Sequence, residues 1–361
     1  MKICFLSNVN SPHTIKWCEF FLKNGHEVHL ISFDPGEIKD VNVHHIDLNI
    51  TSHSSRMKKI KYLFSFRQVK KIINNIKPDI IHAHRATGYA FVAAKSKFHP
   101  YILSVWGSDV YDLPKNKIYK KFIQFNLNKA DYIFSTSNAM KKQVQKLVKK
   151  EIIVTPFGVD ISLFKPIIGL KDDSKIVIGT IKTLSPKYGI DYLIKAFKIV
   201  KDNNPYSNIE LHIAGKGEQE IELRNLCKFL KIDKYVKFLG FLNQQEVIKA
   251  FNTFDVAVFP STLDSESFGV AAVEAQACGI PVIVSNVGGL PESTKPGFSS
   301  ILVESKNEKK LAEAIEILVK DEKLRIQMGK NARKFIEENY NIDDNFGKVE
   351  KFYKSITSCN K

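Results

Sequence analysis

The residues with the densest chemical content lie in the stretch Phe259-Pro260-Ser261-Thr262-Leu263-Asp264-Ser265-Glu266-Ser267-Phe268-Gly269-Val270-Ala271-Ala272-Val273-Glu274. An apolar strand ends at Pro260, a polar loop carries Asp264 and Glu266, and an Ala-rich helix is expected from Phe268 to Gly279, with Pro281 beyond it. The opening N–H groups of that helix, from Phe268, Gly269 and Val270, can hydrogen-bond an anion that the helix dipole also favours. Gly269 lets such an anion come close to the backbone. Glu274, about one and a half turns in, would repel a phosphate but accept hydrogen bonds from neutral sugar hydroxyls. Glu266 stands on the other side of the same helix end, where it can hold the hydroxyls of a group being transferred. The plain alternative is a helix whose two acids only cap and solvate it.

A second stretch precedes it. In Ile178-Gly179-Thr180-Ile181-Lys182-Thr183-Leu184-Ser185-Pro186-Lys187-Tyr188-Gly189, a strand delivers Lys182 and a short loop ends at Lys187 just ahead of another helix. Two cations one loop apart suit a diphosphate, whose leaving charge must be neutralised as its bond breaks. In a lysine-rich chain the same pair also reads as solvation. Gly215-Lys216-Gly217 and Gly240-Phe241 each end a strand, in turns common to many α/β proteins.

With seven residues between them and Phe268-Gly269 in place, Glu266 and Glu274 resemble the E-x7-E element of the retaining glycosyltransferases of the GT-B fold, family 4. The resemblance spans residues 1 to about 340, strongest from Lys175 to Glu304. In that family the first Glu faces the donor sugar and the second binds the nucleotide ribose. An Arg and a Lys bind the donor diphosphate at positions matching Lys182 and Lys187; the Lys182 replacement keeps the charge but loses the bidentate fork. Turns corresponding to Gly215, Gly217, Gly240 and Phe241 line the base pocket, and a loop like Val287-Gly288-Gly289-Leu290-Pro291-Glu292 closes the donor domain. The resemblance implies two doubly wound Rossmann-like domains facing across a cleft. It also implies transfer with retention of a hexose or N-acetylhexosamine from a nucleotide-diphosphate sugar, expected to be UDP-linked, with no metal and no other cofactor.

The first half is less legible. Ile80-Ile81-His82-Ala83-His84 puts His82 and His84 on one face of a strand end, and no third ligand of suitable spacing makes them a metal site. His84 is either a residue near donor and acceptor or a structural histidine. In Val105-Trp106-Gly107-Ser108-Asp109, Trp106 stands where many family members carry a His, and Asp109 is either a binder of the acceptor hydroxyl or a helix cap. The glycine pair often found after the first strand is replaced by Asn10-Ser11-Pro12-His13-Thr14.

The elements that must position these residues alternate in the manner of parallel sheets with crossover helices. Strands are expected over 2–9, 27–33, 43–48, 79–84, 101–106, 132–137 and 152–155, then over 175–181, 210–214, 236–239, 256–260, 281–285 and 300–303. A helical stretch is expected from Asn307 to about Asn339, and another from Asp343 to Ile356. At 361 residues the chain is about twice the usual domain length. Its boundary is expected between Pro156 and Ser174, giving an acceptor-side domain over 1–160 and a nucleotide-sugar-binding domain over 170–340, with the helix of 343–361 packing back on the first.

Charge is distributed unevenly. Residues 1–150 hold 25 Lys and Arg against 10 Asp and Glu, the remainder 29 against 28. An excess confined to one half points to an acidic partner there. From Arg56 to Lys77 eight basic residues (Arg56, Lys58, Lys59, Lys61, Arg67, Lys70, Lys71 and Lys77) interleave with Tyr62, Leu63, Phe64 and Phe66 and no acid. This reads either as a helix lying in a lipid headgroup region or as a packed crossover helix with a solvated basic side. The five scattered cysteines read as reduced thiols. The start runs straight into a strand, and no apolar run reaches the roughly 18 residues of a bilayer span. The expectation is a cytoplasmic enzyme, peripheral on the inner face of the membrane, serving a lipid-linked or glycan acceptor in cell-surface polysaccharide assembly. A nucleotide-sugar epimerase or hydrolase of the same fold is the nearer alternative. A nucleic-acid-binding protein is the remoter one, with no helix-turn-helix, zinc or RNP-type pattern behind it.

Overall fold

The apolar runs form two separate parallel sheets in the computed structural model, which describes residues 1–48, 64–205 and 207–358. Arg56, Lys58, Lys59, Lys61, Tyr62, Leu63 and Cys359 lie outside the described residues. The chain divides into two compact units, Met1–Phe157 with Asp343–Lys361, and Gly158–Ile342.

In the first unit the strands are β1 (Lys2–Leu6), β2 (Glu27–Ser32), β3 (Asn42–His45), β4 (Ile80–His84), β5 (Tyr101–Ser104), β6 (Tyr132–Ser135) and β7 (Ile152–Val154). They pair in the order β3-β2-β1-β4-β5-β6-β7, all parallel. The crossovers are α1 (Pro12–Lys23), α2 (Phe66–Ile76), α3 (Gly88–Ser96), α4 (Ser108–Tyr111), α5 (Lys117–Lys129) and α6 (Asn138–Gln145). Strands covered on both faces must be apolar throughout, and β4 and β5 are buried along their whole length. In α2 the residues Val69, Ile73 and Ile76 are buried at helical spacing, and Arg67, Lys70 and Lys71 are exposed. The described part of the basic stretch is therefore a packed crossover helix with a solvated side.

The second unit holds β8 (Ile176–Ile181), β9 (Ile209–Ala214), β10 (Val236–Gly240), β11 (Val256–Phe259), β12 (Val282–Ser285) and β13 (Ser300–Val303), in the order β10-β9-β8-β11-β12-β13. Its helices are α7 (Ile190–Asn203), α8 (Glu220–Phe229), α9 (Gln244–Thr253), α10 (Val270–Ala277), α11 (Glu308–Lys320) and α12 (Glu322–Asn339). The helix α13 (Ile342–Ser358) follows, and from Asp343 it belongs to the first unit, where it buries Phe346, Val349 and Tyr353. In both sheets the order reverses beside the first strand, between β1 and β4 and between β8 and β11. The loops leaving such a pair diverge and open a crevice at the carboxyl ends of the strands, which is where ligands of open α/β sheets bind.

Two expected boundaries are corrected. The stretch from Asn307 to Asn339 is two helices, because the Asp321 side chain accepts the Leu324 N–H at 2.8 Å and caps a new helix there. The Ala-rich helix begins at Val270 and not at Phe268, because Gly269 takes φ +86° and acts as its N-cap. No helix of the described residues is long and apolar enough to cross a membrane.

Candidate functional site

The second unit brings Lys182, Lys187 and Glu266 together at the point where its strand order reverses. Lys182 follows β8 directly, and Glu266 lies in the loop after β11. Lys182 Nζ lies 3.1 Å from Glu266 Oε1, and both side chains are nearly enclosed, at 11% and 8% exposure. Lys187 Nζ donates to the Ser265 carbonyl at 2.8 Å, and the Thr262 N–H donates to the Lys187 carbonyl at 2.8 Å. The two loops are thereby stitched to each other along both sides of the ion pair. From behind, the Gly289 N–H donates to the Glu266 carbonyl at 2.8 Å and the Gly288 N–H to Asp264 Oδ1 at 3.1 Å. The loop expected to close the domain thus also fixes the backbone of Glu266.

The Gly269 carbonyl accepts from Ala272 at 2.9 Å and from Val273 at 3.1 Å. The N–H groups of Val270 and Ala271, in the first turn of α10, have no acceptor within the helix by construction. They take the place of the Phe268 to Val270 set read from the sequence. Phe268 itself is an anchor: its ring is buried and meets Tyr340 edge-on at 5.3 Å. Glu274 is half-buried, four residues after Val270 and so on the same helix face.

Gly215 and Gly217 serve a purpose that sequence reasoning missed. A Cβ on them would fall 1.8 Å from the Lys182 carbonyl and 2.1 Å from the Leu184 carbonyl. Only glycine lets the turn after β9 lie against the segment that carries Lys182. Gly240 accepts the Gly215 N–H at 2.7 Å, and Phe241 beside it is 70% exposed.

For His84 and Asp109, each open between two readings, the first unit shows the following surroundings. His84 is fully enclosed, with ring centroids of Phe5, Trp17 and Trp106 at 5.4, 5.5 and 4.6 Å. Neither of its ring nitrogens has a partner among the described residues. Asp109 is not open to an acceptor hydroxyl, since it is fully buried and its carboxylate accepts the N–H groups of Ala86, Gly107 and Trp106 at 2.8, 2.8 and 3.2 Å. It ties the loop after β4 to the loop after β5. Beside this cluster the His13 ring stacks on Phe157 at 4.2 Å and meets Trp106 edge-on at 5.5 Å. It stands in the first turn of α1 and not in the loop that the sequence suggested there.

Burial holds these imidazoles neutral. It lowers the pKa of His84 to about 3, with His13 adding to the effect, and that of His13 to about 4, with Lys16 adding. A histidine with a depressed folded pKa refuses protons that the unfolded chain, near 6.5, accepts. Stability of the first unit is therefore full above about pH 6.5 and falls with pH through 5 toward 4. Both tryptophans of the chain, Trp17 and Trp106, flank His84, so tryptophan emission reports this unit alone. The emission-detected melting temperature is expected to drop steadily from pH 7.5 to 5, and less steeply in His84→Phe; a flat profile in the parent chain contradicts the neutral cluster.

The described residues include no group of three or more His, Cys, Asp or Glu placed to hold a metal ion. Comparison with known proteins follows the division of the chain. The family model described as glycosyl transferases group 1 matches residues 164–335, and that described as glycosyl transferase 4-like matches residues 2–137. An uncharacterized glycosyltransferase of Methanocaldococcus jannaschii is 30% identical over 323 residues, covering 86% of this chain and 84% of its own. Among solved structures, sucrose-phosphate synthase from Thermosynechococcus elongatus superposes with a TM-score of 0.84 at 18% identity, covering 99% of both chains. The HepE protein of Anabaena, solved in complex with UDP, superposes with a TM-score of 0.81 at 20% identity, covering 98% of this chain and all of its own. The two matched segments, the near-full-length relative and the paired Rossmann-like domains of the GT-B fold show that this chain belongs to the group 1 glycosyltransferases.

Proposed function

We propose that the chain is a retaining hexosyltransferase that moves a hexose or N-acetylhexosamine from a nucleoside-diphosphate sugar to a lipid-linked or glycan acceptor, with lysines and helix amides in place of a metal. The carrying observation is the convergence of Lys182, Lys187 and Glu266 at the strand-order reversal of the second unit. In this reading the diphosphate lies on the Val270 and Ala271 amides and between the two ammonium groups. Glu274 accepts the ribose hydroxyls and Phe241 stacks on the base. The bond from the anomeric carbon to the phosphate oxygen breaks while the acceptor oxygen bonds to the same face of that carbon. The acceptor proton passes to the departing phosphate oxygen. Glu266 orients the sugar and stabilises positive charge developing on its ring.

The donor nucleoside is proposed to be uridine, in line with the UDP bound by the Anabaena HepE protein. The first unit is proposed to take the acceptor at the inner membrane surface of the cytoplasm, in the assembly of a cell-surface polysaccharide. Its excess of basic residues supports this, as do Lys117, Lys120 and Lys121 on α5, exposed around an Ile118 that is 80% exposed.

The direct test is ligand-induced stabilisation. UDP at 100 times its dissociation constant adds about 2.7 kcal/mol to the unit that binds it, which at about 2–4 °C per kcal/mol for a unit of this size is about 5–11 °C in melting temperature. The shift is expected in the parent chain and lost in Glu274→Ala and Lys187→Ala; undiminished shifts in both variants remove the proposed site. Incubation of a nucleotide-sugar panel with lipid extract, read by product mass, then identifies donor and acceptor. Donor consumed at the same rate without acceptor indicates a hydrolase or epimerase instead.

A further inference from the structure

Two ammonium groups share one aromatic ring in the second unit. Lys182 Nζ lies 4.8 Å and Lys187 Nζ 5.3 Å from the centroid of Tyr188, both inside the range of about 6 Å over which a ring face attracts a cation. The ring is half-buried against the core of the unit. Its backbone is pinned as well: the Tyr188 N–H donates to the Ser185 carbonyl at 3.0 Å, and Thr262 Oγ1 donates to the Lys187 carbonyl at 3.1 Å. The ring is therefore a fixed object, whereas each lysine is a point charge on a flexible stem.

We propose that Tyr188 is a positioning residue of the donor site, its ring holding the Lys182 and Lys187 ammonium groups at a set separation so that one diphosphate meets both. The inference rests on the donor-site reading given above. Lys182 has Glu266 on one side and the ring on another, so two directions fix it where a lone carboxylate would let it swing. The negative potential of the ring also offsets the mutual repulsion of two cations brought toward one ligand. In effect the pair of lysine and ring supplies the preorganisation that the rigid fork of a guanidinium carries by itself. The phenolic hydroxyl has no part in this.

Calorimetric titration with UDP, GDP, ADP and CDP, and with the monophosphate of whichever binds best, tests it. Tyr188→Leu is expected to weaken the best diphosphate about tenfold, the size of a partly desolvated cation–π contact, and the monophosphate less. Tyr188→Phe is expected to bind like the parent, and Lys182→Arg added to Tyr188→Leu to recover most of the loss. A monophosphate loss clearly smaller than the diphosphate loss certifies the fold of the variant; should Tyr188→Leu not fold, Tyr188→Met, with bulk but no ring, carries the same expectation. Parent-like diphosphate binding by the Leu variant overturns the proposal, as does an equal loss in the Phe variant. A parent chain that binds none of the four diphosphates overturns the donor-site reading and this inference with it.

Discussion

Glu266→Gln is expected to lower turnover by about 10²–10³-fold, the effect of removing one preorganised group from the charge that develops in a transition state, with nucleoside diphosphate affinity nearly unchanged. The substitution keeps the side chain's shape and one oxygen acceptor for Lys182 Nζ, now 3.1 Å from Oε1. It removes the negative charge that would face the positive charge building on the sugar ring. Because the loop around Glu266 is held by Gly288, Gly289 and the Lys187 ammonium on Ser265, the neutral side chain stays in place and the loss is electrostatic. Measured kcat and KM for the donor, alongside a diphosphate titration, separate the two effects. Equal falls in affinity and in kcat/KM, with kcat retained, would make Glu266 a binding residue and remove its role at the reacting carbon.

The sheets were legible because each strand is a short Ile- and Val-rich run bounded by polar or turn residues, and periodicity of that kind survives without knowledge of the partner strand. The spacing of Glu266 and Glu274 was legible for a similar reason, since a strand, a loop and a helix of fixed order place the two acids on either side of one helix end. What failed was decided by neighbours remote in sequence. Phe268 looks like the first residue of an apolar helix, but its ring belongs with Tyr340, and the helix starts after the positive φ of Gly269. His84 closes a strand in the position of a site residue, yet Trp17 and Trp106 enclose it from two other segments. Asp109 has a local capping position, whereas its shortest bonds include one to Ala86, in the loop after a different strand. Local pattern cannot report that a carboxylate is already fully used. The same holds in part for Gly215, whose need for glycine comes from the Lys182 carbonyl as well as from the positive φ of its own turn.

Lys182→Met is expected to weaken the donor diphosphate about 10²-fold, roughly 2.8 kcal/mol at 1.4 kcal/mol per decade, and also to destabilise the second unit in the absence of ligand. The second effect follows from burial. With Glu266 at 8% exposure and its ion pair to Lys182 gone, an enclosed carboxylate is left without compensation. The loss should approach the ~3–5 kcal/mol of a broken buried pair, reduced toward about 2 kcal/mol by the water that still reaches the site. The double variant Lys182→Met, Glu266→Gln distinguishes the two effects, because replacing both partners removes the uncompensated charge as well as the attraction. Its melting temperature should return most of the way to that of the parent chain while diphosphate binding and turnover stay low. A double-mutant cycle with no coupling in stability means that the ion pair is not held in solution. A double variant that recovers binding along with stability means that Lys182 acts on the fold alone and does not touch the diphosphate.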